Sequence, residues 1–71
     1  MSITPPTLAD IVHETITART GRRVRDLRVE VRNDRVVLRG RASSFHVKQL
    51  ALHGAQEASP GARLENAIVV E

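Results

Sequence analysis

The chain has no cysteine, almost no aromatic residue and no long hydrophobic run. Its 71 residues include one phenylalanine, Phe45, and neither tryptophan nor tyrosine. Without cysteine, disulfides and thiolate metal sites are excluded. A single aromatic ring leaves little with which to stack nucleic-acid bases. No apolar run approaches the ~20 residues of a transmembrane helix, and residues 1–4 lack the basic and apolar regions of a signal peptide.

These absences predict a soluble, cytoplasmic protein for the sequence as written. A domain cut from a longer exported chain would look the same, so an envelope association stays open. The length corresponds to one small domain at residues 7–71, preceded by a tail at residues 1–6. A core of this size supplies only ~3–5 kcal/mol, so partner binding or self-association would contribute to stability.

The segment from Leu27 to Ala42 predicts a β-hairpin. Leu27 to Arg32 alternates apolar and charged side chains, which is typical of a half-buried strand. Asn33-Asp34 then forms a two-residue loop before a second β-branched run. A two-residue loop sets the following cross-strand pairs: Arg32–Arg35, Val31–Val36, Glu30–Val37, Val29–Leu38, Arg28–Arg39, Leu27–Gly40 and Asp26–Arg41.

Two amphipathic helices are predicted on either side of the hairpin. The first covers residues 7–20, with Thr7 as N-cap and Gly21 as the left-handed stop. A basic connector, residues 21–26, leads to the hairpin. The second helix covers residues 45–58, is capped by Ser43 or Ser44, and has a stripe of small residues that includes Gly54. Gly54 costs about 1 kcal/mol relative to alanine inside a helix, and close packing is the expected compensation.

A last strand is predicted from Arg63 to Glu71. The element order αββαβ indicates an α+β fold in which two helices cover one face of a three-stranded sheet. A right-handed crossover makes the third strand parallel to the second, while its neighbour in the sheet is left open. The predicted core is Leu8, Ile11, Val12, Ile16, Leu27, Val29, Val31, Val36, Leu38, Val47, Leu50, Ala51, Ala55, Leu64, Ile68 and Val70.

The hairpin sequence VEVRNDRVVLRG, residues 29–40, resembles the V-x-V-x-N-G-x-V-x-L-x-G signature of the BON domain. Further matches follow at Ser44, Lys48, Ala51, Ala55, Gly61, Asn66, Ile68 and Val70, so that the resemblance covers about residues 8–70. The chain departs from the pattern at Asp34, where the family has glycine, at Ala62, where it has valine, and in a slightly shorter last connection.

The resemblance implies a binding module without catalytic activity and without a cofactor. BON domains are associated with envelope and stress proteins and are thought to bind phospholipid surfaces or other proteins. They usually occur in pairs or beside another domain. The family has no shared functional residue that could be transferred to this chain.

The outward side of the hairpin is the main candidate site. In the predicted register Arg32 faces Arg35 and Arg28 faces Arg39, and like charges in direct opposition destabilise a sheet. An anion would relieve them: a lipid phosphate, an acidic protein surface or, less favoured without aromatic platforms, a nucleic-acid backbone. Alternatively, the arginines only keep the surface soluble. The candidate ligand-binding residues are Arg28, Arg32, Arg35, Arg39 and Arg41, with Arg22, Arg23, Arg25, Phe45 and Leu52 as secondary candidates.

Phe45 and Leu52 lie seven residues apart on the second helix, largely off its inward stripe. One interpretation is an apolar patch for a partner or lipid surface. The favoured alternative is that Phe45 packs over the core edge and Leu52 is an ordinary exposed leucine.

His46 and His53 are two turns apart, about 10 Å by rise, and are too distant to share a metal ion. Ser44 is better explained as an N-cap than as a nucleophile. A self-associating or protein-docking module is the second functional hypothesis.

Overall fold

The computed structural model describes residues 7–33 and 35–71. The elements are α1 (Leu8–Thr20), β1 (Val24–Arg32), β2 (Arg35–Ala42), α2 (Phe45–Ala58) and β3 (Arg63–Val70). The strands form one sheet in the order β1-β2-β3, with β1 antiparallel and β3 parallel to β2. The predicted α+β fold is confirmed. The third strand lies beside β2, which decides the neighbour that the sequence pattern leaves open. The predicted tail at residues 1–6 lies outside the described residues.

Both helices begin and end where local chemistry stabilises their ends. Thr7 accepts a hydrogen bond from the Asp10 N–H at 3.2 Å, and the Asp10 carboxylate accepts one from the Thr7 N–H at 3.1 Å. This reciprocal capping box satisfies N–H groups that a helix start leaves free. Gly21 ends α1 in the left-handed conformation, and Ser44, rather than Ser43, caps α2.

The helices pack closely because Gly54 has no side chain. A Cβ atom built at Gly54 would lie 3.2 Å from the Ile16 Cα atom of α1. The compensation predicted for a glycine inside a helix is therefore confirmed. On the exposed side of the same contact, the Arg19 guanidinium forms a two-pronged hydrogen bond with the Glu57 carboxylate, with both donor–acceptor distances at 2.9 Å.

The hairpin register agrees with prediction from the loop as far as Arg28–Arg39 and then changes. Asp34 in the loop lies outside the described residues, but the pairs from Arg32–Arg35 to Arg28–Arg39 are confirmed. The predicted pairs Leu27–Gly40 and Asp26–Arg41 are wrong, because a β-bulge shifts the register. Asp26 has a φ of 53°, and Arg25 instead lies opposite Arg41. The strand begins at Val24, within the predicted connector.

The core lies between the helices and the inner face of the sheet. Eight predicted core residues are buried: Val12, Ile16, Val36, Leu38, Val47, Ala51, Ala55 and Ile68. Leu27, Val29, Leu50 and Leu64 are half-buried. The assignment is wrong for Leu8, Ile11, Val31 and Val70, which are 38–41 % exposed. These four lie in the first turn of α1 or near strand ends, where the cover of neighbouring elements runs out.

Candidate functional site: the arginine face

The sheet surface opposite the helices carries arginines in cross-strand rows, and we call it the arginine face. The register aligns four rows across β1, β2 and β3. The rows are two residues apart along β2 and β3, about 7 Å, and also along β1 except at the bulge, where Arg25 and Arg28 are three residues apart. The rows are Arg32–Arg35–Arg63, Glu30–Val37–Glu65, Arg28–Arg39–Ala67 and Arg25–Arg41–Val69. Seven arginines therefore share this face with two glutamates.

Val37 lies at the centre of the arginine face and is only 6 % exposed, although neither α1 nor α2 covers this side. Its cross-strand neighbours are Glu30 and Glu65, and Arg35 and Arg39 flank it along β2 on the same face. Long charged side chains cover apolar surface with their methylene stems while their heads stay in water. The burial of Val37 therefore indicates that charged stems lie along the surface around it.

The acidic groups on and beside this face neutralise it only in part. Glu30 lies 3.5 Å from the Arg32 guanidinium, and Glu71 lies 3.5 Å from that of Arg41. All four of these side chains are at least 38 % exposed, so such pairs contribute little to stability. The bulge adds Arg25–Arg41 to the two predicted like-charge pairs. Asp26 no longer lies directly opposite Arg41, but it stays beside Arg28, Arg39 and Arg41 at this end of the face.

Two depressions accompany the basic rows. A cavity of about 230 Å³ at the sheet end is lined by Arg23, Arg25, Arg41, Ala42, Ser43 and Glu71. The second depression lies on the arginine face and is lined by Asp26, Arg28, Arg39, Gly40, Arg41, Ala67 and Val69. Val69 is 58 % exposed there, so this part of the face combines guanidinium groups with apolar surface.

The secondary candidates separate into three places. Arg23 and Arg25 join Arg41 at the sheet-end cavity. Arg22 follows the last turn of α1 and borders a shallow depression with His13 and Glu14, so it is not part of the arginine face. Phe45 is 63 % exposed, and the favoured prediction that it packs over the core edge is therefore wrong.

Leu52 is half-buried rather than simply exposed. It lines a groove between α2 and the start of β3, together with Gln56, Ala62 and Leu64. Phe45 and Leu52 are two helical turns apart and share one side of α2. The apolar-patch hypothesis for these two residues therefore has a geometric basis.

Sequence reasoning missed Arg63 and Glu65 as members of the arginine face. The alternation along the last strand already put Leu64, Ile68 and Val70 on one side, which places Arg63 and Glu65 on the other. The sequence pattern does not show which strand lies next to β3, so these two residues could not be placed in a row with the arginines of the hairpin. Its parallel pairing with β2 completes the rows.

Among the residues that the structure describes, no group of three or more histidine, aspartate or glutamate side chains is placed to hold a metal ion. No helix in the described part of the chain is both long and apolar enough to cross a membrane.

No family model matches the chain, and searches of curated proteins and of solved structures give no match. The resemblance to the BON domain therefore stays a prediction.

Proposed function

We propose that the chain is a non-catalytic binding module that docks on anionic phospholipid surfaces through the arginine face. The observation that carries the proposal is the row arrangement, in which seven arginines project from one side of the sheet opposite the helices. The resemblance of residues 29–40 to the BON signature supports a binding module of this kind.

The rows explain why an anionic surface would bind. Arg32–Arg35, Arg28–Arg39 and Arg25–Arg41 are like-charge pairs on neighbouring strands, only about 5 Å apart at the backbone. Phosphate oxygens accept paired hydrogen bonds from a guanidinium group and so relieve this repulsion. Val69 and Ala67 are exposed among the arginines and add apolar contact with the headgroup region.

A nucleic-acid ligand fits the same face less well. Single-strand binders combine basic grooves with aromatic platforms on which bases stack. The one aromatic residue of the chain, Phe45, lies on α2, and the arginine face carries none. An acidic protein surface remains the alternative partner, and it would be recognised by the same guanidinium groups.

The test compares two variants of equal net charge. Arg28→Gln with Arg39→Gln removes two charges from the arginine face, whereas Arg19→Gln with Lys48→Gln removes two from the helices. Each basic residue close to an anionic surface contributes about 1 kcal/mol, so the first variant is expected to bind about 30-fold more weakly. The helix layer lies about 10 Å behind the sheet, roughly one Debye length away, so the control keeps most of its affinity.

Binding is measured by co-sedimentation with vesicles that contain phosphatidylglycerol and with vesicles of phosphatidylcholine alone. The expected result is salt-sensitive binding to the first kind only. Absence of binding by the native chain at low salt, or equal loss in both double variants, would overturn the proposal. Retention of the native chain by an acidic protein without vesicle binding would favour the alternative partner.

A further inference from the structure

The two edges of the sheet differ in how well they resist pairing with another strand. The β1 edge carries the bulge at Asp26, and a charged side chain faces outward at almost every second position. Bulges and charges are the devices by which proteins block edge-to-edge association. The β3 strand has no bulge, because it pairs with β2 at eight consecutive positions without interruption. Its charged residues, Arg63 and Glu65, lie in its first half, and the second half is the uncharged segment Ala67-Ile68-Val69-Val70.

Among the residues that the structure describes, no strand pairs with the outer edge of β3, which we call the free β3 edge. The Ile68 N–H is satisfied by the side-chain oxygen of Asn66 at 3.2 Å, a local contact that a main-chain acceptor of a partner strand would replace. Val69 and Val70 beside it are 58 % and 41 % exposed. A partner strand would supply main-chain acceptors at this edge and cover apolar surface.

We propose that two copies of the chain associate through antiparallel pairing of their β3 strands, giving a continuous six-stranded sheet with Ala67 on the two-fold axis. This inference is independent of the proposed lipid binding. It identifies the occupant of the free β3 edge as a second copy, and the charge pattern of the strand specifies the register.

The two-fold symmetry limits the registers that are available. Opposed residues must project on the same face of the sheet, so the axis passes through a residue that faces itself. With Ala67 on the axis, Arg63 of each copy faces Glu71 of the other. A shift of the axis to Glu65 opposes two glutamates directly, and a shift to Ile68 opposes Glu65 with Glu71. An axis at Asn66 brings no charged pair together. An axis at Leu64 would oppose Arg63 with Glu65, but it overlaps the two β3 strands over only three residues, 63–65. Ala67 therefore gives the favoured register, since it combines opposite charges with overlap along most of the strand.

The same register brings Phe45 of one copy to the groove of the other. Phe45 starts α2 three residues after Ala42, which pairs with Val70 at the end of β3. The groove lined by Leu52, Gln56 and Leu64 lies near the beginning of β3. Antiparallel pairing places the end of one β3 strand beside the beginning of the other. Phe45, which is 63 % exposed, and Leu52 share a side of α2, so an exposed ring meets the groove that contains Leu52 and Leu64 twice in the dimer.

The absence of cysteine allows a direct test of the register. Ala67 is exposed, and Ala67→Cys puts two thiols opposite each other at a Cα separation of about 4.5–5.5 Å, within disulfide range. The matched control Glu65→Cys places its thiols four residues apart along the strands, about 13 Å, which is beyond that range. We expect covalent dimers from the first variant and few from the second under mild oxidation.

Sedimentation equilibrium of the native chain tests the association itself, with an expected rise toward twice the 7.8 kDa chain mass. Phe45→Glu is expected to shift the equilibrium to monomer without loss of folding, because an acidic residue in the first turn favours a helix. Ile11→Glu is the control, since Ile11 is 41 % exposed on α1.

Three results would overturn the dimer. The first is a native chain that stays monomeric up to about 1 mM, a concentration at which association would be worth only about 4 kcal/mol. The second is equal cross-linking of the two cysteine variants. The third is dissociation of the dimer by Ile11→Glu but not by Phe45→Glu.

Discussion

Replacement of Gly40 by alanine is expected to destabilise the domain through a steric conflict at the β-bulge. A Cβ atom at Gly40 would lie 2.8 Å from the Val24 Cγ1 atom and 3.0 Å from the Arg25 carbonyl oxygen. One of these neighbours is backbone and cannot rotate away. The added methyl group must therefore displace the beginning of β1 or abolish the bulge.

The expected cost is about 1–3 kcal/mol, as for other overpacked sites. A domain of this size has only ~3–5 kcal/mol in total, and each kcal/mol corresponds to about 4–8 °C in Tm. Gly40→Ala should therefore lower the Tm by roughly 5–20 °C. Circular dichroism during heating and urea denaturation would measure the loss.

Gly61→Ala is the control, because Gly61 has a φ of 86° and no neighbour within 4 Å of a Cβ atom built there. Its cost is the conformational one alone, about 1 kcal/mol. Val24→Ala combined with Gly40→Ala should recover part of the loss, because it removes the nearest contact, while the conflict with the Arg25 carbonyl remains. If Gly40→Ala proves as stable as the native chain, or if Val24→Ala gives no recovery, the steric account of the bulge is refuted.

Two further stability predictions concern the helices. Thr7→Ala removes the oxygen that accepts a hydrogen bond from the Asp10 N–H and should lower the free energy of unfolding, measured by urea denaturation, by about 1 kcal/mol. The control Thr15→Ala removes only a hydroxyl that donates to the Ile11 carbonyl and should leave the free energy of unfolding unchanged. Equal effects of the two variants would contradict the capping role. Gly54→Val should lower the free energy of unfolding by about 1–3 kcal/mol, because its Cβ would press on the Ile16 backbone. The control Gln49→Val, on the exposed side of α2, should change the free energy of unfolding little. A stable Gly54→Val variant would show that the helices can move apart.

The sequence determined the elements because each one is specified by local chemistry. Thr7, Asp10 and Gly21 define α1 without reference to the rest of the chain. Alternation over Val29 to Leu38 fixes which side chains face inward, since a one-residue slip would turn every apolar side chain to solvent.

Only the tertiary structure decided the composition of the arginine face and of the free edge. The bulge brings Val24 close to Gly40, an approach between two strands that local propensity does not reveal. It exchanged the predicted Asp26–Arg41 pair for Arg25–Arg41. The place of β3 beside β2 added Arg63 and Glu65 to the face and left Ile68 at an open edge. Pairing between strands that are distant along the chain depends on which surfaces the helices cover, and periodicity within one strand carries no information about that choice.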